Sequence, residues 1–447
     1  MKLWQKNTDS LKEVEEFTVG RDREFDRELA PFDVLGSIAH VIMISEAGLM
    51  KPAEAAEAIA QLRAIYRLTN DASFRIDESA EDIHSQIELL LTEKLGDTGK
   101  KIHSARSRND QVLVDIKLYL RDAIASLVKS TTDLFELLQA QSEKFKTHLV
   151  PGYTHLQLAM PSSFGLWFGA YAESLVDDLI VLRSAYEVVN KNPLGSAAGY
   201  GSSFPIRRQR TTELLGFASL NYNVVYAQMG RGKTERVVAM ALANLADTLA
   251  KLSMDCCLYL NQNFGFISFP AELTTGSSIM PHKKNPDVFE LIRSHANRIK
   301  SLPNEVMLMT TNLPSGYHRD LQLLKEHLFP AFKTLISCIE MAGLMLSNIR
   351  VRENILADKK YEFLFTVDRV NELVMQGIPF RDAYRQVGLE VENGTFMPPA
   401  SSTISVSSHE GSIGNLSTAE IKAQMDNVLS TFPFAKVDAA LESLISG

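Results

Sequence analysis

The sequence predicts an all-α protein with a central bundle of long helices. Residues 112–150 contain neither proline nor glycine, and apolar residues recur there at steps of three and four, which is the pattern of an amphipathic helix. Residues 233–264 form a second uninterrupted run that is apolar on more than one side, as expected of a helix buried in a bundle. Strand patterns are few, with weak candidates only at 195–204 and 401–408.

Three further runs complete the predicted bundle. They cover residues 162–192, 287 to about 302, and 324 to about 349. A chain of 447 residues is long enough to bury a large core and to divide into subdomains. We expect a bundle domain at 106–353, with smaller helical domains at 1–105 and 354–447.

The composition favours a protein of the cytoplasm that acts on small molecules. A net charge of -8 argues against nucleic acid and anionic membranes as partners. No run of about 18 apolar residues is present to span a membrane, and the N-terminal residues lack the apolar core of a signal peptide. The odd cysteine count, with Cys256 and Cys257 adjacent, favours a reducing compartment.

The loop at 276–286, which reads Gly-Ser-Ser-Ile-Met-Pro-His-Lys-Lys-Asn-Pro, carries the most specific pattern in the chain. Asn285 is a good helix cap and Pro286 suits the first helical position, so a helix is predicted to begin there. Lys283 and the positive end of that helix would then face one anion together. A lone Gly-Ser-Ser would indicate only an ordinary capped surface loop, but the full string is far more specific.

This loop resembles the signature GSSxMPxKxNP of the fumarase/aspartase superfamily, and other segments resemble the argininosuccinate lyases within it. Those segments are ARSRNDQ at 105–111, GYTHLQ at 152–157, EDIH at 81–84, Asp33 with Gly36 and Ser37, and the set Tyr317, Gln322 and Lys325. The resemblance covers most of the chain. It implies the all-α fold of that superfamily and a lyase without a cofactor.

The resemblance implies that argininosuccinate is split into arginine and fumarate by β-elimination. A base removes a proton beside a carboxylate, and cations and N–H donors stabilise the negative charge that develops there. Ser277 and His155 match the family's proton-transfer pair, with Lys283 stabilising charge and Glu290 holding His155. We favour Ser277 as the base, while the sequence leaves open which of the two is formally base or acid.

The resemblance also implies a set of substrate-binding side chains. Arginines fork onto carboxylates, amides and hydroxyls donate to them, and a carboxylate suits the cationic side of the substrate. The residues are Arg106, Arg108, Asn109, Thr154, Asn285, Ser37, Tyr317, Gln322, Lys325 and Asp33. Each taken alone has a plainer interpretation, such as a surface ion pair for the arginines or a structural hydrogen bond for His155. For His84, a role in supporting the site and a purely structural role are equally favoured.

Two segments, 195–208 and 223–234, depart from the family pattern. Residues 230–234 end like a phosphate-binding loop, but the first glycine of such a loop and a preceding strand are missing. Histidines and acidic residues show no metal-ligand spacing, so no metal is expected.

Several alternatives remain from the sequence. They are another lyase of the superfamily acting on adenylosuccinate, fumarate or aspartate, an inactive crystallin-like relative, and an amidohydrolase built on Ser277 and Lys283. The resemblance further implies a homotetramer whose active sites are shared between subunits, because the matching motifs lie on three separate segments.

Overall fold

The computed structural model describes residues 11–78, 80–399 and 407–446, and most of them are helical. The predicted strand at 401–408 lies largely outside these residues. The α-helices of the described residues are α1 (Lys12–Val19), α2 (Asp22–Glu46), α3 (Pro52–Thr69), α4 (Ile83–Leu95), α5 (Asp97–Lys100), α6 (Arg108–Lys144), α7 (Phe164–Val189), α8 (Arg208–Leu214), α9 (Val224–Met229), α10 (Lys233–Leu260), α11 (Asp287–Ile299), α12 (Leu302–Met309), α13 (Leu324–Ser347), α14 (Thr366–Met375), α15 (Phe380–Glu392), α16 (Thr418–Ser430) and α17 (Phe434–Ser446).

The strands of the described residues form three small pairs. The longest pair is an antiparallel hairpin. Each of the other two pairs joins distant parts of the chain through strands of only two residues. They are β1 (Leu149–Thr154) with β2 (Gln157–Ser163), β3 (Lys191–Asn192) with β4 (Ser219–Leu220), and β5 (Ile267–Ser268) with β6 (Arg350–Val351). The all-α prediction is therefore confirmed.

The predicted hairpin at 195–204 is wrong. Gly195, Ala197, Gly199 and Gly201 all have positive φ angles, between 50° and 112°, and such angles are incompatible with an extended strand. The buried carboxylate of Asp110 accepts the backbone N–H groups of Gly195 and Ala197, both at 2.8 Å. The segment is thus folded around the start of α6 rather than paired with a strand.

Most predicted helical runs are confirmed, with shorter ends. The first run stops at Lys144 rather than 150, since β1 and its proline follow. The run after the 276–286 loop begins at Asp287, with Pro286 in the capping position, and is divided into α11 and α12. Asn285 is therefore not the helix cap that the sequence predicts.

Three long helices, α6, α10 and α13, run in the same direction. Arg108 at the start of α6 and Lys325 at the start of α13 line one cavity, together with Arg231 just before α10. At the opposite end, Gln141 of α6 donates to the carbonyl of Leu346 in α13 at 2.7 Å. With 28 residues, α10 spans about 40 Å. We call the two extremes of the bundle the Lys325 end and the His155 end.

The hairpin and the 276–286 loop both lie at the His155 end. The ring of Tyr153 in β1 lies 5.5 Å from that of Phe264, which follows α10. Helix α11 runs back along α10, as the ion pair between Lys300 and Asp247 at 2.7 Å shows. The loop before α11 is therefore at the end of the bundle where α10 finishes.

A continuous apolar core joins all three predicted domains, from Phe25 in α2 to Leu444 in α17. A separate small core holds α14 and α15 together around Val370 and Val387. The main core crosses the predicted domain boundaries at 105 and 353. These boundaries stay a prediction.

Three helical stretches are long and apolar enough to cross a membrane by length and composition: α2, α10 and Arg319–Ser347. Half or more of the apolar window of each is buried inside the protein. The search for uninterrupted apolar runs in the sequence did not find these three stretches. Their mean hydropathy is high, but charged residues interrupt each of them. The expectation that no membrane is bound stays a prediction.

The buried face of α6 yields a stability prediction. Phe135 is fully buried, so Phe135→Ala should lower the free energy of unfolding by about 3 to 5 kcal/mol through lost burial and a residual cavity. Denaturant unfolding of the two proteins measures the difference. Lys129→Ala, on the exposed side of the same helix, should change it by less than about 0.5 kcal/mol. Equal losses in both variants would contradict the packing described.

Candidate active site

A cavity of about 190 Å³ at the Lys325 end gathers many of the predicted substrate-binding residues. Arg108, Asn109, Tyr317, Gln322 and Lys325 all line it. They come from the start of α6 and from the segment that leads into α13. The sequence-based grouping of these five residues is thus matched by their position in the fold.

Lys325 is a deeply buried cation of this cavity. Its ammonium lies 2.6 Å from a carboxylate oxygen of Asp22 and also contacts Asp26. Burial alone would lower the pKa of Lys325, but the two carboxylates outweigh it and raise that pKa. Burial and the charge of Asp26 raise the pKa of Asp22 to about 6. Two acids therefore share one ammonium, and the second carboxylate oxygen of Asp26 accepts the N–H of Ile83 at 3.2 Å.

The remaining cations of the cavity are also paired. Arg108 lies 3.2 Å from Glu81 and 3.0 Å from Asp82, and Arg319 lies 3.3 Å from Glu81. The buried guanidinium of Arg231 pairs with Glu235 at 3.1 Å, which lies behind the cavity wall. The cavity therefore holds cations and acids in balance, an arrangement suited to a zwitterionic group.

Ser107 determines where α6 begins and hence where Arg108 and Asn109 stand. Its hydroxyl accepts the N–H of Asn109, and the carboxylate of Asp110 accepts the N–H of Ser107. This reciprocal arrangement is a capping box. The side chain of Gln322 donates to the carbonyl of Thr18 at 3.1 Å. This bond ties the segment before α13 to the end of α1.

Arg106, Ser37 and Asp33 lie behind the cavity rather than on its wall. The guanidinium of Arg106 donates to the hydroxyl of Ser37 at 2.9 Å, and that hydroxyl donates to Asp33 at 3.4 Å. Asp33 and Ser37 are fully buried in the chain. Direct substrate contact by these three residues stays a prediction, and in the single chain they support the cavity wall from inside.

A buried acid–histidine cluster stands next to them. The Nδ1 atom of His84 lies 2.5 Å from Asp33 and 3.5 Å from Asp115, and Gln111 donates to Asp33 at 2.8 Å. Burial opposes a charge on His84, yet Asp33 raises its pKa. His84 also lines the cavity, so it supports the site and faces it.

This cluster could hold a metal ion by residue type, since Asp33, His84 and Asp115 each offer a ligand atom within 4.8 Å of the others. Two ligands of one ion stand about 3 Å apart at ordinary bond lengths, whereas the Asp33–His84 separation of 2.5 Å suits a shared proton. Both oxygens of Asp115 lack a hydrogen-bond partner among the described residues. A proton on Asp115 satisfies the cluster better than a cation, and the prediction of no metal stays a prediction.

The predicted proton-transfer residue His155 is at the tip of the β1–β2 hairpin. His155 and Leu156 form its two-residue turn, with φ angles of 54° and 59°, and left-handed backbone costs a non-glycine residue roughly 1 to 2 kcal/mol. Thr154 and His155 are exposed, and Leu156 is 80% exposed. Backbone strain of this kind concentrates at functional sites, and here it points an imidazole outward.

The 276–286 loop is closed at its base and open at its tip. Asn285 donates its backbone N–H to the carbonyl of Thr275 at 2.9 Å, and its side chain reaches the carbonyl of Gly276 at 3.4 Å. The hydroxyl of Ser277 accepts the N–H groups of Ile279 and Met280, at 3.3 and 3.1 Å. Two N–H donors on one hydroxyl oxygen favour its charged form.

The structure does not bring the two groups of predicted residues together within one chain. Glu290 is exposed on α11, and no hydrogen bond or ion pair joins it to His155 among the described residues. Lys283 is likewise exposed, and no carboxylate of the residues that the structure describes pairs with it. These residues occupy the His155 end, about 40 Å from the cavity at the Lys325 end.

Sequence reasoning missed four charged residues of the cavity, Asp22, Asp26, Arg231 and Arg319, and the apolar residues Val19 and Val112. The two aspartates are four positions apart, which places them on one face of α2, and this spacing was a usable signal. Arg231 lies in the segment that departs from the family, so resemblance offered no guide to it.

Comparisons with known proteins show the family to which the chain belongs. A family model described as lyase matches residues 2–300, so the chain belongs to that lyase family. Curated relatives named argininosuccinate lyase include those of Parabacteroides distasonis, 56% identical over 100% of this chain and 99% of the relative, and of Thermotoga neapolitana, 38% identical over 86% and 97%. Within the lyases, the chain belongs to the argininosuccinate lyase family.

Solved structures support the fold alone. An EDDS lyase in complex with formate has a TM-score of 0.74 at 21% identity, covering 98% of this chain and 95% of the other. A fumarate lyase, delta crystallin, from Brucella melitensis bound to cobalt has a TM-score of 0.69 at 16% identity, covering 91% of each. The fumarase-like architecture is therefore confirmed.

The buried cluster gives a pH prediction. Burial and the charge of Asp33 raise the pKa of Asp115 well above its usual value. The folded protein thus keeps a proton that the unfolded chain releases above about pH 4, and it loses stability as the pH rises further. Asp115→Asn, which is permanently neutral, should gain at least about 1 kcal/mol over the parent between pH 5 and pH 8.

Unfolding curves of both proteins at the two pH values measure this gain. Asp133→Asn, an exposed aspartate on the same helix, is the matched control and should show no pH-dependent difference from the parent. Parallel stability curves for Asp115→Asn and the parent would mean that Asp115 is ionised in the folded protein.

Proposed function

We propose that this chain splits argininosuccinate into arginine and fumarate, with the reacting groups of each site supplied by more than one copy of the chain. The observation that carries the proposal is the full-length relationship at 54 to 56% identity to curated argininosuccinate lyases, in a chain that retains the loop at 276–286. The other lyases of the superfamily are not favoured by these relatives.

Ser277 is the proposed base. Its hydroxyl oxygen already accepts two backbone N–H groups, and these donors stabilise the alkoxide that abstracts a proton from the succinyl carbon. Lys283, on the same loop, adds a positive charge that lowers the cost of forming it. Without such support, a serine hydroxyl is too weak an acid to form the alkoxide that acts as the base.

The negative charge then spreads onto the carboxylate beside that carbon, and the guanidinium nitrogen leaves as the C–N bond breaks. Lys283 and the loop amides stabilise this charge. His155, exposed at the hairpin tip, is the proposed acid that donates a proton to the leaving nitrogen. Thr154 and Asn285 are the proposed hydrogen-bonding partners of the succinyl group beside them.

The Lys325 cavity is the proposed site for the amino-acid end of the substrate. Tyr317, Gln322 and Lys325 would bind the carboxylate of that end, and the carboxylate of Asp22 would bind its ammonium. Arg108 and Asn109 also line this cavity, and we assign them to the succinyl group. The balance of cations and acids in this cavity suits a group that carries both charges.

A homotetramer with shared sites is proposed because one chain keeps the two halves of the site about 40 Å apart. The outer faces of the bundle helices also carry half-exposed apolar side chains. They include Ile180, Val181, Met240, Met254, Met341 and Leu344. Exposed apolar side chains on helix faces are compatible with subunit interfaces. We further propose a cytoplasmic location with no nucleic-acid, membrane or cofactor partner.

Ser277→Ala should reduce turnover at least 1000-fold, since it removes the base, while arginine still binds. Fumarate absorbance measures turnover, and titration calorimetry measures arginine binding. Ser278→Ala, the neighbouring hydroxyl, is the matched control and should retain more than a tenth of the activity. Near-parental turnover in the Ser277 variant would place the base elsewhere.

Mixed oligomers test whether the site is shared. A Lys325→Met variant is defective at one end of the bundle and Ser277→Ala at the other, so each should be inactive alone. Unfolding and refolding the two together should restore a measurable fraction of parental activity, because some sites then combine two intact halves. Light scattering checks that mixed tetramers form. No recovery in such tetramers would mean that both residues act from one chain.

A further inference from the structure

The hairpin that carries His155 is anchored at its base and exposed at its tip. Every residue from Thr154 to Leu158 is exposed. Tyr153, by contrast, is partly buried and packs against the main core. Because Tyr153 is only two residues from His155, the position of the proposed acid depends on what holds this tyrosine.

An aromatic cluster holds Tyr153. Its ring lies 5.5 Å from that of Phe264, and the ring of Phe264 is stacked on that of Phe266 at 5.0 Å. Phe266 is fully buried, and its ring lies 6.4 Å from that of Tyr361. Tyr361 is 4% exposed and belongs to the 3-10 turn Lys359–Phe365. We call Phe264, Phe266 and Tyr361 the aromatic seat of the hairpin.

The seat includes a polar contact between two hydroxyl groups. The side chains of Tyr153 and Tyr361 are hydrogen-bonded to each other. Burial in the first place, and Tyr361 in addition, raise the pKa of Tyr153 to about 12, so Tyr153 keeps its proton at neutral pH. Apolar contacts have no preferred direction, whereas a hydrogen bond does. The hydroxyl bond therefore fixes where Tyr153 stands on the seat.

Backbone bonds hold the seat itself in place. The carbonyl of Phe266 accepts the N–H of Arg352 at 2.9 Å, next to the pairing of β5 with β6. The carbonyl of Asp358 accepts the N–H of Tyr361 at 2.9 Å. The seat thus joins the end of α10 to the segment that leads into α14, and Tyr361 stands on a fixed turn.

The hairpin transmits the position of Tyr153 to its tip. The pairing of β1 with β2 shifts its register between Pro151 and Tyr153, and such bulges re-aim side chains next to active sites. A Cβ atom on Gly152 would stand 2.8 Å from the carbonyl oxygen of Met160, so the two strands are in close contact at this point. A displacement of Tyr153 therefore displaces the imidazole of His155 as well.

We propose that Tyr361 is a positioning residue for His155 and acts through its hydroxyl bond to Tyr153. The assignment rests on the proposed function, in which His155 donates a proton to the leaving nitrogen. Proton transfer requires the two heavy atoms to stand about 3 Å apart, so a small shift of the imidazole slows this step. The amino-acid end of the substrate is assigned to the Lys325 cavity, and its binding does not depend on the hairpin.

Tyr361→Phe removes only the hydroxyl and tests the proposal on the full oligomer. We expect kcat for argininosuccinate to fall about five- to tenfold, because the acid is misplaced by a fraction of an ångström. Fumarate absorbance gives kcat and KM, and titration calorimetry gives the affinity for arginine. Neither KM nor that affinity should change by more than about twofold.

Tyr153→Phe removes the other half of the same bond. It should lower kcat as Tyr361→Phe does, and the two substitutions together should cause no further loss. Amide hydrogen exchange supplies a second measurement that does not depend on turnover. Exchange across residues 149–163 should become faster in both variants, while that of α10 stays unchanged.

A double-mutant cycle with His155 separates positioning from a general weakening of the fold. His155→Asn removes the proposed acid, so adding Tyr361→Phe should leave the residual turnover of that variant unchanged. If Tyr361 only stabilises the protein, the two losses multiply instead.

Tyr186→Phe is the matched control. Tyr186 is 2% exposed and lies on α7, about 30 Å along that helix from the residue at which the hairpin joins it. The substitution removes a buried tyrosine hydroxyl that is remote from the seat. Both kcat and the exchange of residues 149–163 should match those of the parent.

Three results would overturn the assignment. Parental kcat and parental hairpin exchange in Tyr361→Phe would mean that the hydroxyl does not position the hairpin. Multiplied losses in the His155→Asn background would make the role of Tyr361 structural. A loss of kcat in Tyr186→Phe equal to that in Tyr361→Phe would attribute the effect to any buried hydroxyl.

Failure of the proposed function gives a different pattern. If the parent releases no fumarate from argininosuccinate but hairpin exchange still rises in Tyr361→Phe, the reaction is wrong and positioning of the hairpin by Tyr361 is supported. If the parent is active, His155→Asn loses turnover and Tyr361→Phe matches the parent in both measurements, the positioning role is wrong and the reaction stands.

Discussion

The common direction of α6, α10 and α13 is the constraint on which the rest of the site depends. All three helices begin beside the Lys325 cavity and finish at the end that carries His155 and the 276–286 loop. A helix is rigid over this length, so no side-chain movement can bring the two ends together. The residues proposed to bind the amino-acid end of the substrate and those proposed to move protons are thus held apart within one chain, and the proposed tetramer is the arrangement that would join them.

Charge pairing sets the character of the Lys325 cavity. Acids pair with its cations, as in the contact of Lys325 with Asp22, and this balance suits a zwitterionic group. Arg231 stands in the wall of the cavity and is fixed by Glu235 at 3.1 Å.

Much of the fold followed from local pattern, because helix periodicity is a property of short stretches of chain. The long runs without proline or glycine became α6 and α10, with ends shifted by several residues. The hairpin was misplaced because positive φ at Ala197 is imposed by a distant carboxylate, Asp110. Asn285 was misassigned for a similar reason: it bonds across the loop to Thr275 instead of capping the next helix.

The sequence by itself determined the class of reaction, through the string at 276–286, and the helical architecture, through the spacing of apolar residues. Only the tertiary structure decided which residues share an end of the bundle, that Ser37 and Asp33 lie behind the cavity wall, and which cations keep an uncompensated charge. The reason is physical. Burial and ion pairing depend on contacts between residues hundreds of positions apart, such as Asp22 with Lys325, and no local pattern specifies them.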